Sequence, residues 1–143
     1  MLVLVQATVM TVGLSGKNQA LRELPIRLLK MQSSSEAVSS LKNENVDSVI
    51  SKWELDEGDN GQFLKNLRAV KPGIPTIVFI RAGDKQQEIA ARSLGVSAIL
   101  TDDSDDGLFR KTVANVLGLK RVVSIKSIVP AENENVVREE VVR

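Results

Sequence analysis

Short apolar segments alternate with amphipathic segments along most of the chain. The apolar segments are rich in β-branched residues and are hydrophobic without interruption, which is typical of strands covered on both faces of a sheet. Each is followed by polar or turn residues that end it. These segments predict an N-terminal strand piece and five further strands, at residues 2–5, Ala7–Val12, Ile26–Met31, 46–51, Thr76–Ile80 and 97–101.

The segments between these strands carry apolar residues at helical spacing. Ser15 is predicted to cap a short helix that Pro25 ends, and Ser33 is predicted to cap the next one. Gly95 and Gly118 are the expected stops of the last two helices. The predicted helices are residues 17–24, a segment that begins at the Ser33 to Glu36 cap, Gln62–Val70, 84–94 and 105–117.

Strands that alternate with helices at this spacing predict a parallel sheet with helices on both faces. A chain of 143 residues is one domain by size. We assign the domain to residues 1–119 and a C-terminal extension to residues 120–143. The extension begins with an apolar, strand-like piece at residues 122–129. Its charged end repeats a valine pair, which is compatible with an interaction helix, a frayed terminus or a linker.

Composition excludes several classes of protein. The net charge of +1 gives no electrostatic basis for binding nucleic acid or an anionic membrane. The absence of cysteine and histidine excludes disulfides, thiolate metal sites and a conventional hydrolytic triad. The apolar run at residues 1–12 lacks the features of a signal peptide and is too short to span a bilayer. We therefore expect a cytoplasmic protein that is not an enzyme and that carries no cofactor and no metal.

The stretch at residues 46–61 is the centre of the functional argument. A buried strand ends abruptly in Lys52 and Trp53, and an acidic, glycine-containing loop follows at residues 54–61. Open α/β sheets build their sites beyond the carboxyl ends of their strands. Other residues in or near this stretch mark the starts of predicted elements. Asp47 precedes the third strand, Asn60 and Gly61 precede the third helix, and Pro75 precedes the fourth strand.

These landmarks resemble the receiver domains of response regulators, the CheY-like family, over residues 8–117. The resemblance implies a flavodoxin-like, three-layer α/β sandwich with a five-stranded parallel sheet of strand order 2-1-3-4-5, here with terminal extensions. Receivers of this family carry a phosphoacceptor aspartate where this chain has Lys52. They end the first strand with an acidic pair that holds Mg²⁺, whereas this chain has no carboxylate there and continues to Ser15.

The other chemical positions of the family also differ. A Thr or Ser that contacts the phosphoryl group is expected at Ile80, and the aromatic switch residue at Ile99. The family's lysine and the proline after it fall on Asp102 and Asp103. Aspartyl phosphorylation needs a carboxylate nucleophile and a divalent ion. The chain thus resembles a degenerate pseudo-receiver, which we expect to be unable to accept a phosphoryl group.

The aspartate and lysine of a receiver look exchanged in this sequence, since Lys52 ends the third strand and Asp102 ends the fifth. One hypothesis is an ion pair between them that fixes the site in one state, although such pairs carry a desolvation cost. The alternative is that Lys52 extends to solvent, towards Glu54 or Asp56. The segment Gly13 to Lys17 predicts a tight turn, because it lacks the pattern of a phosphate loop.

The resemblance implies a signalling domain of a two-component or related bacterial system, acting by protein contact. Its expected binding surface lies roughly at residues 86–92 and 97–116, with Arg92, Ile99 and Arg110. Trp53 is either an exposed anchor on a partner or packed under the acidic loop. A homodimer is compatible with the sequence, and residues 2–5 and 122–129 could pair within it or within one chain.

Two alternatives stay open at this stage. The first is a small flavodoxin-like ligand-binding or enzymatic domain with its site at the same sheet edge. The second is the N-terminal regulatory part of a larger regulator, in which case the extension is a linker.

Overall fold

The computed structural model of the protein describes residues 5–119. The strands are β1 (Ala7–Val12), β2 (Ile26–Met31), β3 (Ser48–Lys52), β4 (Thr76–Ile80) and β5 (Ala98–Thr101). The α-helices are α1 (Ser34–Asn43), α2 (Gln62–Val70), α3 (Lys85–Leu94) and α4 (Asp106–Leu117). A short 3-10 helix spans Asn18–Leu21. The predicted strand pieces at residues 2–5 and 122–129 and the extension at residues 120–143 lie outside the described residues, apart from Val5.

The strands form one five-stranded sheet in the order β2-β1-β3-β4-β5, with every neighbouring pair parallel. Both the strand order and the flavodoxin-like fold class are as predicted. The central strands β3 and β4 are buried at every residue except Lys52, because they are covered on both faces. All five carboxyl ends lie at one edge of the sheet, which places the ends of β1, β3, β4 and β5 side by side.

Helices cover both faces of the sheet and bury one core on each. On one face α1, α2 and α3 pack over strand residues such as Met10, Val49 and Val78. On the other face α4 and the 3-10 helix pack over Val9 and Ile77. The result is the predicted three-layer arrangement.

The short helix predicted at residues 17–24 forms only in part. Only Asn18–Leu21 are helical, in a 3-10 helix whose N-cap residue is Lys17 and which has no side-chain cap, so Ser15 does not cap it. Gly13 and Gly16 have positive φ, so the residues before the 3-10 helix form a turn. Pro25 disfavours α-helical geometry at the preceding residue. Too few residues remain between these limits for an α-helix, and a 3-10 helix is the usual solution for such short pieces.

The other helix ends follow the predicted signals. Ser33 and Glu36 form a reciprocal capping box at the start of α1. Asp105 accepts a hydrogen bond from the Leu108 N–H at the start of α4. Gly118 ends α4 in the left-handed conformation. No helix within residues 5–119 is long and apolar enough to cross a membrane.

Candidate functional site

A cleft of ≈ 460 Å³ lies beyond the carboxyl ends of β3, β4 and β5. It brings together Lys52, Ile80 and Asp102, three of the residues that the sequence placed at a degenerate phosphorylation site. Ser15, the fourth, is exposed and does not line the cleft. The remaining lining residues are Lys17, Glu54, Leu55, Asp56, Glu57, Phe79, Arg81 and Gln87.

The cleft contains charges of both signs. Its carboxylates lie mainly on the acidic loop after β3, and its cations come from three different segments. Within residues 5–119, no group of three or more His, Cys, Asp or Glu side chains is arranged to hold a metal ion. The lining carboxylates are Glu54, Asp56, Glu57 and Asp102, and the lining cations are Lys17, Lys52 and Arg81.

The hypothetical ion pair between Lys52 and Asp102 is not present. Lys52 is exposed, and its ammonium group makes no hydrogen bond or ion pair with any residue in the described part of the chain. The Asp102 carboxylate instead accepts a hydrogen bond from the Ala82 N–H at 3.1 Å. A pair at this edge would have to desolvate two ions that already have water or a backbone partner. Lys52 therefore follows the alternative, with its ammonium in solvent.

A different lysine, Lys17, makes side-chain contacts with the residues around the cleft. Its Nζ donates a hydrogen bond to the Asp102 carbonyl oxygen at 3.0 Å. The same ammonium lies 5.1 Å from the centroid of the Phe79 ring, at cation–π distance. Lys17 thus links the turn after β1 to the ends of β4 and β5. The sequence signal for it was a lysine directly after the glycine turn of β1, which we considered only as a phosphate loop.

Replacement by methionine, which keeps the aliphatic stem, should lower the free energy of unfolding by different amounts at Lys17 and Lys52. Lys17→Met removes a hydrogen bond from a charged donor and a cation–π contact, so we expect a loss of about 1–2 kcal/mol in the free energy of unfolding. Lys52→Met should change it by less than about 0.5 kcal/mol. Urea unfolding followed by circular dichroism measures both. Equal losses of unfolding free energy in the two variants would contradict the described difference in contacts between Lys17 and Lys52.

Trp53 is buried, with 2% of its surface exposed, so it is not an exposed anchor for a partner. It packs under the acidic loop, which was the alternative reading. A Cβ atom at Gly61 would overlap the indole ring, so the loop closes on Trp53 only because residue 61 is glycine. Asp59 fixes the loop by accepting hydrogen bonds from the Leu55 and Gln62 N–H groups, at 3.1 and 2.9 Å.

The predicted binding surface on α3, β5 and α4 is only partly available. Arg92 is exposed and pairs with Glu88 one turn earlier on α3, at 2.8 Å. Ile99 is half-buried against the core beneath α3. Arg110 donates a hydrogen bond to the Ala20 carbonyl oxygen at 3.2 Å, so it holds the 3-10 helix instead of facing a partner. Arg92 is thus the only one of these three predicted contacts that is fully exposed.

Sequence comparison gives similarity to two transcriptional regulators. No protein-family model matches the sequence. Over 80 residues, 55% of this chain, it is 35% identical to the transcriptional regulatory protein GlrR of Escherichia coli K12. The transcriptional regulatory protein QseF of Escherichia coli O157:H7 matches equally well. The matched stretch spans 18% of each relative, so the similarity concerns a small part of those proteins.

Solved structures of receiver domains share the fold. The response regulator receiver protein from Burkholderia phymatum matches with a TM-score of 0.68 and 25% identity, over 82% of this chain and 99% of that one. The signal receiver domain of an HD domain-containing protein from Pseudomonas fluorescens Pf-5 gives a TM-score of 0.70 at 22% identity, over 82% and 91%. The CheY-like receiver domain protein from Methanospirillum hungatei JF-1 gives 0.69 at 13%, over 78% and 94%.

Proposed function

We propose that the chain is a receiver-type domain of the response-regulator, CheY-like class, and that it is a pseudo-receiver that signals by protein contact without phosphorylation. The supporting observation is Lys52 at the end of β3, where the resemblance to receivers implies the phosphoacceptor aspartate. An ammonium group is not a carboxylate nucleophile, and its positive charge repels a divalent cation.

The remainder of the cleft supports the same proposal. The segment that follows β1 carries Leu14, which is buried, and Ser15, which is exposed, and neither is a carboxylate. Ile80 is buried at the end of β4, in place of the hydroxyl that the resemblance implies. Lys17 occupies the mouth of the cleft through its bond to the Asp102 carbonyl. A cation of the protein itself therefore lines the cleft.

Partner binding is proposed for the exposed part of the surface made by α3, β5 and α4. Ile89 on α3 is 64% exposed and Leu108 on α4 is 48% exposed, so each helix presents one large apolar side chain to solvent. Lys111, which is exposed, supplies a cationic group beside Leu108, and the ion pair of Arg92 with Glu88 lies beside Ile89. A protein partner in a cytoplasmic two-component pathway would meet apolar contacts with a charged rim.

A second candidate is that the chain is the receiver part of a larger transcriptional regulator. The observation that favours it is the similarity to two such regulators, of which the matched stretch is only 18%. In that case the partner surface would contact a domain of the same polypeptide. Hydrogen exchange separates the two candidates. If the chain is part of a larger regulator, the backbone amides of Ile89 and Leu108 should be more protected in a longer polypeptide from the same source than in the present chain.

Beryllofluoride, an analogue of the phosphoryl group, tests the proposal in solution. With Mg²⁺ present it binds a receiver through the acceptor carboxylate, which this cleft lacks at residue 52. We expect no change in the amide NMR spectrum of the protein on addition of beryllofluoride and Mg²⁺. Saturable shifts at the ends of β3, β4 and β5 would contradict the proposal.

A further inference from the structure

We infer that the groove between α1 and α2 is the interface of a symmetric dimer of this chain, in which the acidic end of one groove faces the basic end of the other. Asp56 and Glu57 line both the groove and the cleft, but the inference does not depend on the proposed function, because its test measures association of the chain and not phosphorylation.

The groove is continuous and its floor is apolar. Two cavities of ≈ 760 and ≈ 450 Å³ lie between the helices and share Val38, Lys42, Phe63 and Asn66. Val38 is 43% exposed, and Val70 at the end of α2 is 77% exposed. Contiguous apolar surface of this kind, with polar residues around it, marks sites of protein association. The apolar lining residues are Val38, Leu41, Phe63, Leu67 and Val70.

The two ends of the groove carry opposite charges. Asp56, Glu57 and Asp59 line only the cavity near the cleft, Lys71 lines only the far cavity, and Lys42, one residue before the end of α1, lines both. The other polar lining residues are uncharged. None of these charged groups forms an ion pair with another residue in the described part of the chain. With nine residues, α2 separates the two ends by about 13 Å at 1.5 Å per residue.

This pattern of charges is complementary to itself. A two-fold axis that lies in the interface and crosses the groove turns the second copy end for end, so that α1 meets α1 and α2 meets α2, each pair antiparallel. The acidic end of each copy then lies over Lys42 and Lys71 of the other, and the contact occurs twice, as in every symmetric dimer. A parallel arrangement would place like charges together, so electrostatics selects the antiparallel one.

The interface is small, because two helices of nine and ten residues build most of it. Interfaces at the low end of the size range are weak or transient. We therefore expect a dimer whose population depends on protein concentration, detectable by analytical ultracentrifugation between micromolar and millimolar protein.

Charge reversal at each end tests the inference. The acidic variant is Lys42→Glu with Lys71→Glu, and the basic variant is Asp56→Lys with Glu57→Lys. Asp59 stays unchanged in both, since its carboxylate holds the start of α2. Each variant alone places like charges at both contacts, so its dimer dissociation constant should rise at least about tenfold, the equivalent of 1.4 kcal/mol. An equal mixture of the two should form a mixed dimer, because both contacts are attractive again.

The control variant is Lys30→Glu with Lys85→Glu, which changes the net charge as much as the acidic variant does but lies on β2 and α3, outside the groove. Its dissociation constant should equal that of the natural chain. A natural chain that stays monomeric up to millimolar concentration would overturn the inference. So would a dimer that survives both reversals, a mixture that fails to associate, or a control that weakens the dimer as much as the acidic variant does.

Discussion

Gly61→Ala is expected to cost about 2–5 kcal/mol of the free energy of unfolding, because two effects add at this residue. Gly61 has φ of 75°, a conformation that costs an alanine about 1–2 kcal/mol. The added methyl group would also overlap the indole ring of Trp53, which is buried and cannot move outwards freely. Overpacking of this kind costs a further 1–3 kcal/mol or so.

Gly58→Ala is the matched control for this prediction. Gly58 has φ of 79°, almost the same as Gly61, but no atom lies within 4 Å of the place a Cβ would take. The Gly58→Ala variant should lose only the free energy that the backbone conformation costs an alanine, about 1–2 kcal/mol. Urea unfolding of both variants, followed by circular dichroism, isolates the contact with Trp53. Equal losses in the two variants would show that the acidic loop does not close on Trp53 as described.

Phe109→Ala is expected to cost about 3–5 kcal/mol, the usual range for removal of a buried phenylalanine. Phe109 is 2% exposed and meets Phe79 edge to face, with ring centroids 4.9 Å apart. It anchors α4 to the sheet. Within the described residues, α4 and the short 3-10 helix are the helices that cover this face of the sheet. Phe79 is the other aromatic residue of this core in the described part of the chain, so Phe109→Ala removes one of its two largest side chains and leaves a cavity.

Leu108→Ala provides the comparison for Phe109→Ala on the same helix. Leu108 is 48% exposed, and alanine has a slightly better helix propensity, so its substitution should change stability by less than about 0.5 kcal/mol. Thermal unfolding of both variants measures the difference. A Leu108→Ala variant as unstable as Phe109→Ala would mean that α4 packs on the sheet through its other face.

The strands could be predicted from sequence because their apolar runs are continuous and bounded by turn residues. Ala7–Val12, Ile26–Met31 and Thr76–Ile80 have the predicted bounds, whereas β3 and β5 each start later than predicted. The helix predicted at residues 17–24 is shorter than expected because the prediction took Ser15 as its cap, whereas Gly13 and Gly16 place the residues before Asn18 in a turn. Local backbone limits took precedence over side-chain pattern there.

The site was predictable in position but not in its contacts. A strand that ends in Lys52 placed that residue in the cleft, since the carboxyl ends of parallel strands meet at one edge. Whether its ammonium pairs with Asp102 depends on competing partners far apart in sequence, and the Ala82 N–H takes the carboxylate. The burial of Trp53 depends likewise on the path of the loop at residues 54–61, which no periodicity in the sequence specifies.

Intact mass spectrometry after incubation with a small phosphoryl donor tests most directly the claim that this receiver-type domain works without phosphorylation. The native protein and a Lys52→Asp variant, which places a carboxylate at the end of β3, are each incubated with acetyl phosphate or phosphoramidate and Mg²⁺. We predict that the native protein gains no phosphoryl mass. A stoichiometric adduct on the native protein would contradict the account and would indicate that a carboxylate of the acidic loop accepts the group.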